Sequence, residues 1–197
     1  MMKFVQAISI AFILGSCATT AKYEPTKESV APGTSVTWRG EPAALSTEGK
    51  LAIGEAFPSV RVVDGKLEPK DLYSQGQVTV ISIVPSIDTP LCDAQTHQLG
   101  ENRTLSDNVR KITVSMDLPF AQKRFATEAS LTNIEYFSDY QLGDFGNKTG
   151  LRVMRNNLLT RAVVVVDQAG IVRHIQVVPD VSKMPDMQAA FDIANNL

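Results

Sequence analysis

Among the side chains able to act as nucleophiles, Cys92 stands where its own neighbours would activate it. Thr89 occupies a helix N-cap position and Pro90 the first helical position, where its missing N–H and fixed φ cost nothing. That spacing predicts Cys92 in the first helical turn, where unpaired backbone N–H groups and the positive end of the helix dipole favour a thiolate over a thiol. A free cysteine, with a pKa of about 8.5, is only a few per cent ionised at neutral pH, so such a setting decides whether it reacts. The alternative is that Cys92 is a small buried hydrophobe, as free cysteines often are.

Other chemistry finds little support. His97 and His174 stand far apart, so no metal site forms with one free cysteine at any usual spacing, and His97 reads as a helix-surface residue. There is no glycine-rich phosphate loop, and no cofactor is expected. Cys92-Asp93-Ala94-Gln95 lacks the second cysteine of a C-x-x-C redox pair. With 19 basic and 21 acidic residues and no basic run, the net charge of −2 disfavours nucleic acid as a partner.

The elements around Cys92 read as alternating strands and helices. Val78 to Val84 is a β-branched run that predicts a buried strand ending at Pro85. The helix bearing Cys92 is expected to run to about Leu105, on an apolar stripe of Leu91, Ala94, Leu99 and Leu105. Val109 to Met116 alternates as a strand, Asp117 is expected to cap a helix from Leu118 to about Ala126, and Ile134 to Phe137 reads as a brief strand. Arg161 to Asp167 is a buried strand, Gln168-Ala169-Gly170 a turn, and Ile171 to Val178 its antiparallel partner. Upstream, Val36 to Leu45 has the pattern of a small hairpin containing Trp38, read as a packing residue. Ser59 to Val63 is a strand closed by Asp64-Gly65, and Leu67 to Leu72 a connection. Met187, Ala190, Phe191 and Ala194 recur at helical spacing. The 197 residues therefore predict one α/β domain of mixed strand direction, residues 35–197.

The amino terminus is different. One positive charge at Lys3 precedes an apolar run from Phe4 to Leu14, too short to span a bilayer but suited to a signal peptide. Leu14-Gly15-Ser16-Cys17 resembles the lipobox of bacterial lipoproteins. The resemblance implies a signal peptide over residues 1–16, a lipid-bearing Cys17 and a periplasmic protein held to the envelope, with Ala18 pointing to the outer membrane. Residues 17–34, rich in Thr, Lys, Glu, Pro and Gly, are expected to form a flexible tether. Removing Lys3 with the signal leaves 18 basic against 21 acidic residues, a charge of −3. An ordinary cleaved signal peptide and a Cys17 to Cys92 disulfide are the alternatives.

Four segments carry a further resemblance. Pro85-Ser86-Ile87-Asp88-Thr89-Pro90-Leu91-Cys92 fits the P-x-x-x-T-x-x-C signature of peroxiredoxins, and Ser115 to Phe125 is similar to a stretch of their thiol peroxidase subgroup. Arg161 to Asp167 resembles their arginine-bearing strand, and Pro185-Asp186 the start of their last helix. The resemblance implies a thioredoxin-like fold with an added amino-terminal β-hairpin, a homodimer, and reduction of hydrogen peroxide or organic hydroperoxides. By it, Cys92 is the peroxidatic cysteine and the Thr89 hydroxyl points at the sulfur. Pro85 shields the site, and Arg161 stabilises the thiolate and polarises the peroxide. Taken alone, Arg161 would be a surface charge at a strand edge.

One departure stands out. The subgroup's resolving cysteine follows the Phe of the Arg-Phe segment, whereas Arg124-Phe125 is followed here by Ala126. With Cys17 lipidated no second thiol remains, so an external thiol must reduce the oxidised sulfur. Otherwise the chain is a catalytically idle thioredoxin-fold lipoprotein serving as a redox sensor or envelope binding module.

Overall fold

The computed structural model describes residues 23–73 and 76–197. The calls on residues 1–16, on Cys17 and on a disulfide from it lie outside these. In chain order the elements begin with β1 (Pro25–Thr26), β2 (Ser35–Trp38), β3 (Glu41–Ala44), β4 (Arg61–Val63), β5 (Pro69–Asp71) and β6 (Thr79–Ile83). Then come α1 (Pro90–Gly100), β7 (Arg110–Ser115), α2 (Pro119–Glu128), β8 (Glu135–Ser138) and α3 (Asp144–Thr149). The last are β9 (Arg152–Val153), β10 (Leu158–Leu159), β11 (Ala162–Val166), β12 (Val172–Val177), β13 (Met184–Pro185) and α4 (Met187–Asn195).

Every residue of β6 and β11 is buried, which is why both read as unbroken apolar runs rather than alternating ones. They lie side by side, antiparallel, inside a seven-stranded sheet of order β12-β11-β6-β7-β8-β4-β5. β6, β7 and β8 are parallel, as the intervening helices require. The two-residue period of β11 splits its side chains between faces. Ala162, Val164 and Val166 join a core with Ile81, Ile83, Val114, Phe145 and the hairpin residues Val36 and Ala43. Val163 and Val165 face Leu99 of α1 and Met187, Ala190, Phe191 and Ala194 of α4. α4 starts where expected: Asp186 caps it, its carboxylate accepting from the Ala189 N–H at 3.1 Å. The fold is the expected thioredoxin-like α/β arrangement with an added amino-terminal hairpin, β2 and β3.

Four expectations are corrected. α1 stops at Gly100, not near Leu105. Gly100 packs against Leu131 and Ile134, and the Asn102 side chain accepts from the Thr104 and Leu105 N–H groups, turning the chain. The connection from Leu67 to Leu72 contains the edge strand β5, where Pro69 costs no internal ladder bond. Asp117 does not cap α2, whose N-cap is Leu118; its carboxylate is used elsewhere, as described below. The tether does not extend to residue 34. β1 pairs with β13, the Val30 N–H donates to the Val177 carbonyl at 2.9 Å, and the Gln176 amide donates to the Thr26 carbonyl at 2.7 Å. This segment covers the outer edge of β12, which would otherwise present unpaired backbone groups.

The stretch 139–157, where sequence patterning is weakest, is organised by Asp139. It is 1% exposed and accepts the N–H groups of Phe145 at 3.0 Å and Gly146 at 2.9 Å. Burial pushes its carboxyl from 3.8 up to about 6 despite those two donors. The folded chain thus holds this proton more tightly than the unfolded chain. The stability it adds is complete below about pH 4 and is lost as pH rises through about 6, to at most about 3 kcal/mol. Urea unfolding across that window should therefore show a shallower decline in Asp139→Asn than in the parent; an unchanged slope would refute the assignment.

Candidate active site

β6 ends at Ile83, and the loop 84–89 carries the chain over the sheet end into α1. Thr89 is the N-cap, extended at φ −114° and ψ 144°, and Pro90 is the first helical residue, so Cys92 lies in the first turn as expected. The buried residues Cys92, Gln95, Thr96 and Leu99 recur at i, i+3, i+4 and i+7. This is the face turned to the sheet, and two of its four members are polar, which explains why an apolar stripe pointed elsewhere. Cys92 is a free thiol, 0% exposed.

Because β11 runs antiparallel to β6 with Ala162 opposite Ile83, Arg161 arrives at the strand end where the loop to Cys92 begins. Arg161 is 3% exposed, and each of its three side-chain nitrogens has a partner. Nη2 donates to Cys92 Sγ at 3.3 Å, Nη1 to Gln95 Oε1 at 2.8 Å, and Nε to the Val181 carbonyl at 2.9 Å. Gln95 is itself pinned, its amide donating to Ser82 Oγ at 2.8 Å and to the Ala162 carbonyl at 3.2 Å. The hairpin takes part too: the Val181 N–H donates to the Thr37 carbonyl at 3.1 Å, so β2 steadies the residue whose carbonyl receives Arg161. A buried cation is costly without partners, and this set gives each nitrogen one while directing an N–H at the sulfur.

The loop is clamped from the other side by Asp117. One carboxylate oxygen accepts from Ser86 Oγ at 2.7 Å and the other from the Ile87 N–H at 2.7 Å. Arg124 of α2 reaches across to Asp88 at 3.0 Å. The Thr89 hydroxyl donates to the Ser86 carbonyl at 3.0 Å, and among the described residues no hydrogen bond joins it to the sulfur. The expectation that it points there is corrected: it closes the loop turn. Pro85 is buried at the start of that loop.

Over these residues lies a cleft of about 430 Å³, lined among others by Trp38, Arg39, Pro85, Thr89, Leu91 and Arg161. Three of the four residues singled out from sequence, Pro85, Thr89 and Arg161, are thus brought to one wall, with the fourth, Cys92, buried against the guanidinium. Gln95, Asp117, Arg39 and the cleft-lining role of Trp38 escaped sequence reading. Only Gln95 carried a local signal, its i+3 spacing from Cys92. His97 is a surface residue, as expected, between Asp93 at 3.2 Å and Glu101 at 2.8 Å. Among the described residues no cluster of three or more His, Cys, Asp or Glu side chains is arranged to hold a metal ion.

This arrangement can be set beside known proteins. The Redoxin family model matches residues 52–191. The chain is 37% identical over 161 residues to the thiol peroxidase of Oceanobacillus iheyensis, covering 81% of this chain and 98% of that protein. It is 39% identical over 163 residues to the thiol peroxidase of Listeria monocytogenes serotype 4b, covering 82% and 98%. A crystal structure of a peroxiredoxin-like protein from Aquifex aeolicus aligns with a TM-score of 0.77 at 32% identity, covering 83% of this chain and 96% of the other. A thiol peroxidase from Chromobacterium violaceum shares the fold, with a TM-score of 0.70 at 19% identity over 82% and 96% of the two chains. A family model spanning most of the chain, and relatives matched over nearly their whole length, establish that this chain belongs to the Redoxin family.

Proposed function

We propose that the chain is a thiol peroxidase in which Cys92 is the peroxidatic residue and an external thiol completes the cycle. The observation that carries this reading is the Arg161 Nη2 to Cys92 Sγ contact of 3.3 Å, made by an arginine that itself lines a cleft. A guanidinium so placed stabilises an anionic sulfur and offers a donor to the oxygen that leaves it. The sulfur attacks one peroxide oxygen, the O–O bond breaks, and the second oxygen departs as water or alcohol on taking a proton. Cys92 is oxidised by two electrons to sulfenic acid. Pro85 and the loop above the sulfur exclude competing nucleophiles, and Thr89, in the cleft wall, fixes the turn that presents Cys92.

Ala126 stands where the subgroup places its resolving thiol, which supports a one-cysteine cycle. One external thiol condenses with the sulfenic acid, releasing water and leaving a mixed disulfide. A second thiol reduces that disulfide and restores Cys92.

The lipobox-like Leu14-Gly15-Ser16-Cys17 supports lipidation at Cys17 and a periplasmic site on the envelope, with the outer membrane favoured by Ala18. A homodimer is supported by the apolar side chains at the start of α2, beside the Asp117 clamp. Leu118 is 50% exposed and Phe120 63% exposed, more than a lone surface residue next to a reactive loop would need.

Reduced protein given one equivalent of peroxide should form a dimedone adduct at Cys92, and Cys92→Ser should form none. Arg161→Ala should slow oxidation by about 10²-fold or more, and Gln95→Leu, which removes an acceptor that orients the guanidinium, by about tenfold. A thiol that survives peroxide for hours would refute the reading. Cys17→Ser should shift the protein from the detergent to the aqueous phase on partitioning, and equal partitioning of both forms would count against the anchor. Phe120→Glu should lower the mass measured by sedimentation to that of one chain; a parent that already sediments as one chain would rule the dimer out.

A further inference from the structure

The amino-terminal chain joins the described fold beside the active site. Tyr23 lines the same cleft as Trp38, Arg39, Thr89 and Pro90, and two residues later Pro25–Thr26 is fixed to Met184–Pro185 as β1. The chain left between Cys17 and the fold is therefore only the six steps from Cys17 to Tyr23. Six residues reach at most about 20 Å at full extension, whereas a domain of this length is roughly 40 Å across. An anchor at Cys17 cannot reach round such a domain, so only the end that carries Tyr23 can lie against a bilayer.

That end bears side chains suited to a phospholipid surface. Trp38 is half-buried in the cleft wall and has the amphipathic ring that sits well at headgroup level. Arg39 is exposed in the two-residue turn between β2 and β3, at a φ of 51° that favours Asn or Gly over a long side chain. Its charge is drawn to anionic phosphates. Among the described residues, none lining the cleft is Asp or Glu.

We propose that a lipid on Cys17 holds this end of the domain on the phospholipid surface, with Trp38 and Arg39 at the headgroups and the mouth of the cleft turned toward the bilayer. The contact is with the lipid surface as a whole, not with one molecule held in the cleft. It rests on the lipidation reading of Cys17.

Trp38 is the only tryptophan, so its emission reports this end alone. The full lipidated protein is reconstituted into vesicles of phosphatidylethanolamine and phosphatidylglycerol that contain a phospholipid with a nitroxide on its headgroup. A second protein combines Trp38→Phe with Asp107→Trp, since Asp107 is exposed just before β7, at the end of the parallel strands away from the loop to Cys92. Trp38 in the parent should be quenched several-fold more strongly than the probe at position 107. An insert of about 20 Gly and Ser residues after Lys22 lets the chain reach round the domain, and should reduce Trp38 quenching to the level of the far probe. Parent and insert are compared without any substitution, so that arm holds even if the far probe misfolds. Equal quenching of the two probes overturns the orientation, as does strong Trp38 quenching that the insert leaves unchanged. Protein that fails to sediment with the vesicles refutes the anchor itself, which separates the two failures.

Discussion

A buried guanidinium beside a buried sulfur is the constraint around which this molecule is built. Removing Arg161 from water is costly unless every direction of its planar fork meets an acceptor. The Val181 carbonyl meets Nε, Gln95 Oε1 meets Nη1, and an N–H of Nη2 meets the Cys92 sulfur. The acceptors come from two places far apart in the chain, α1 and the residues before β13. Gln95 is held by Ser82 of β6 and the Ala162 carbonyl of β11, and Val181 by the Thr37 carbonyl of the hairpin. The added hairpin is therefore no mere ornament on the sheet, because it helps set where the cation stands.

The loop above the sulfur is governed by a second carboxylate. Asp117 lies two residues past the end of β7, and its two oxygens receive Ser86 and Ile87 from the loop that follows β6. Parallel neighbours β6 and β7 end side by side, so the residue after one strand lies within reach of the residue after the other. The catalytic loop is thus fixed by sheet register as much as by its own sequence. Cys92 is fully covered, and Pro85 is buried in the loop that leads to it.

Legibility followed burial pattern. β6, β11, β12 and α4 were readable because their apolar periods match a strand buried on both faces, a hairpin partner and a one-sided helix. α1 was readable at its start, where Thr89 and Pro90 mark the cap, and misleading at its end, where packing of Gly100 against Leu131 and Ile134 stops it. The region 139–157 was opaque because its organiser is a single buried carboxylate, which has no periodicity. Residues 25–34 read as tether because they hold few apolar side chains. They are ordered instead by backbone and amide hydrogen bonds to the edge of β12, which composition does not record.

By itself the sequence determined a reactive cysteine at a helix start after a buried strand, a distant arginine at the mouth of another, and the family motif joining them. Those are local properties of cap residues, β-branched runs and spacing. Only the tertiary structure decided that the arginine's third donor falls on the sulfur, that Gln95 and Val181 aim it, that Thr89 turns to Ser86, and that Arg39 stands at the rim. All but the local turn from Thr89 to Ser86 depend on strand order and register, which bring together residues dozens of positions apart and which no local pattern encodes.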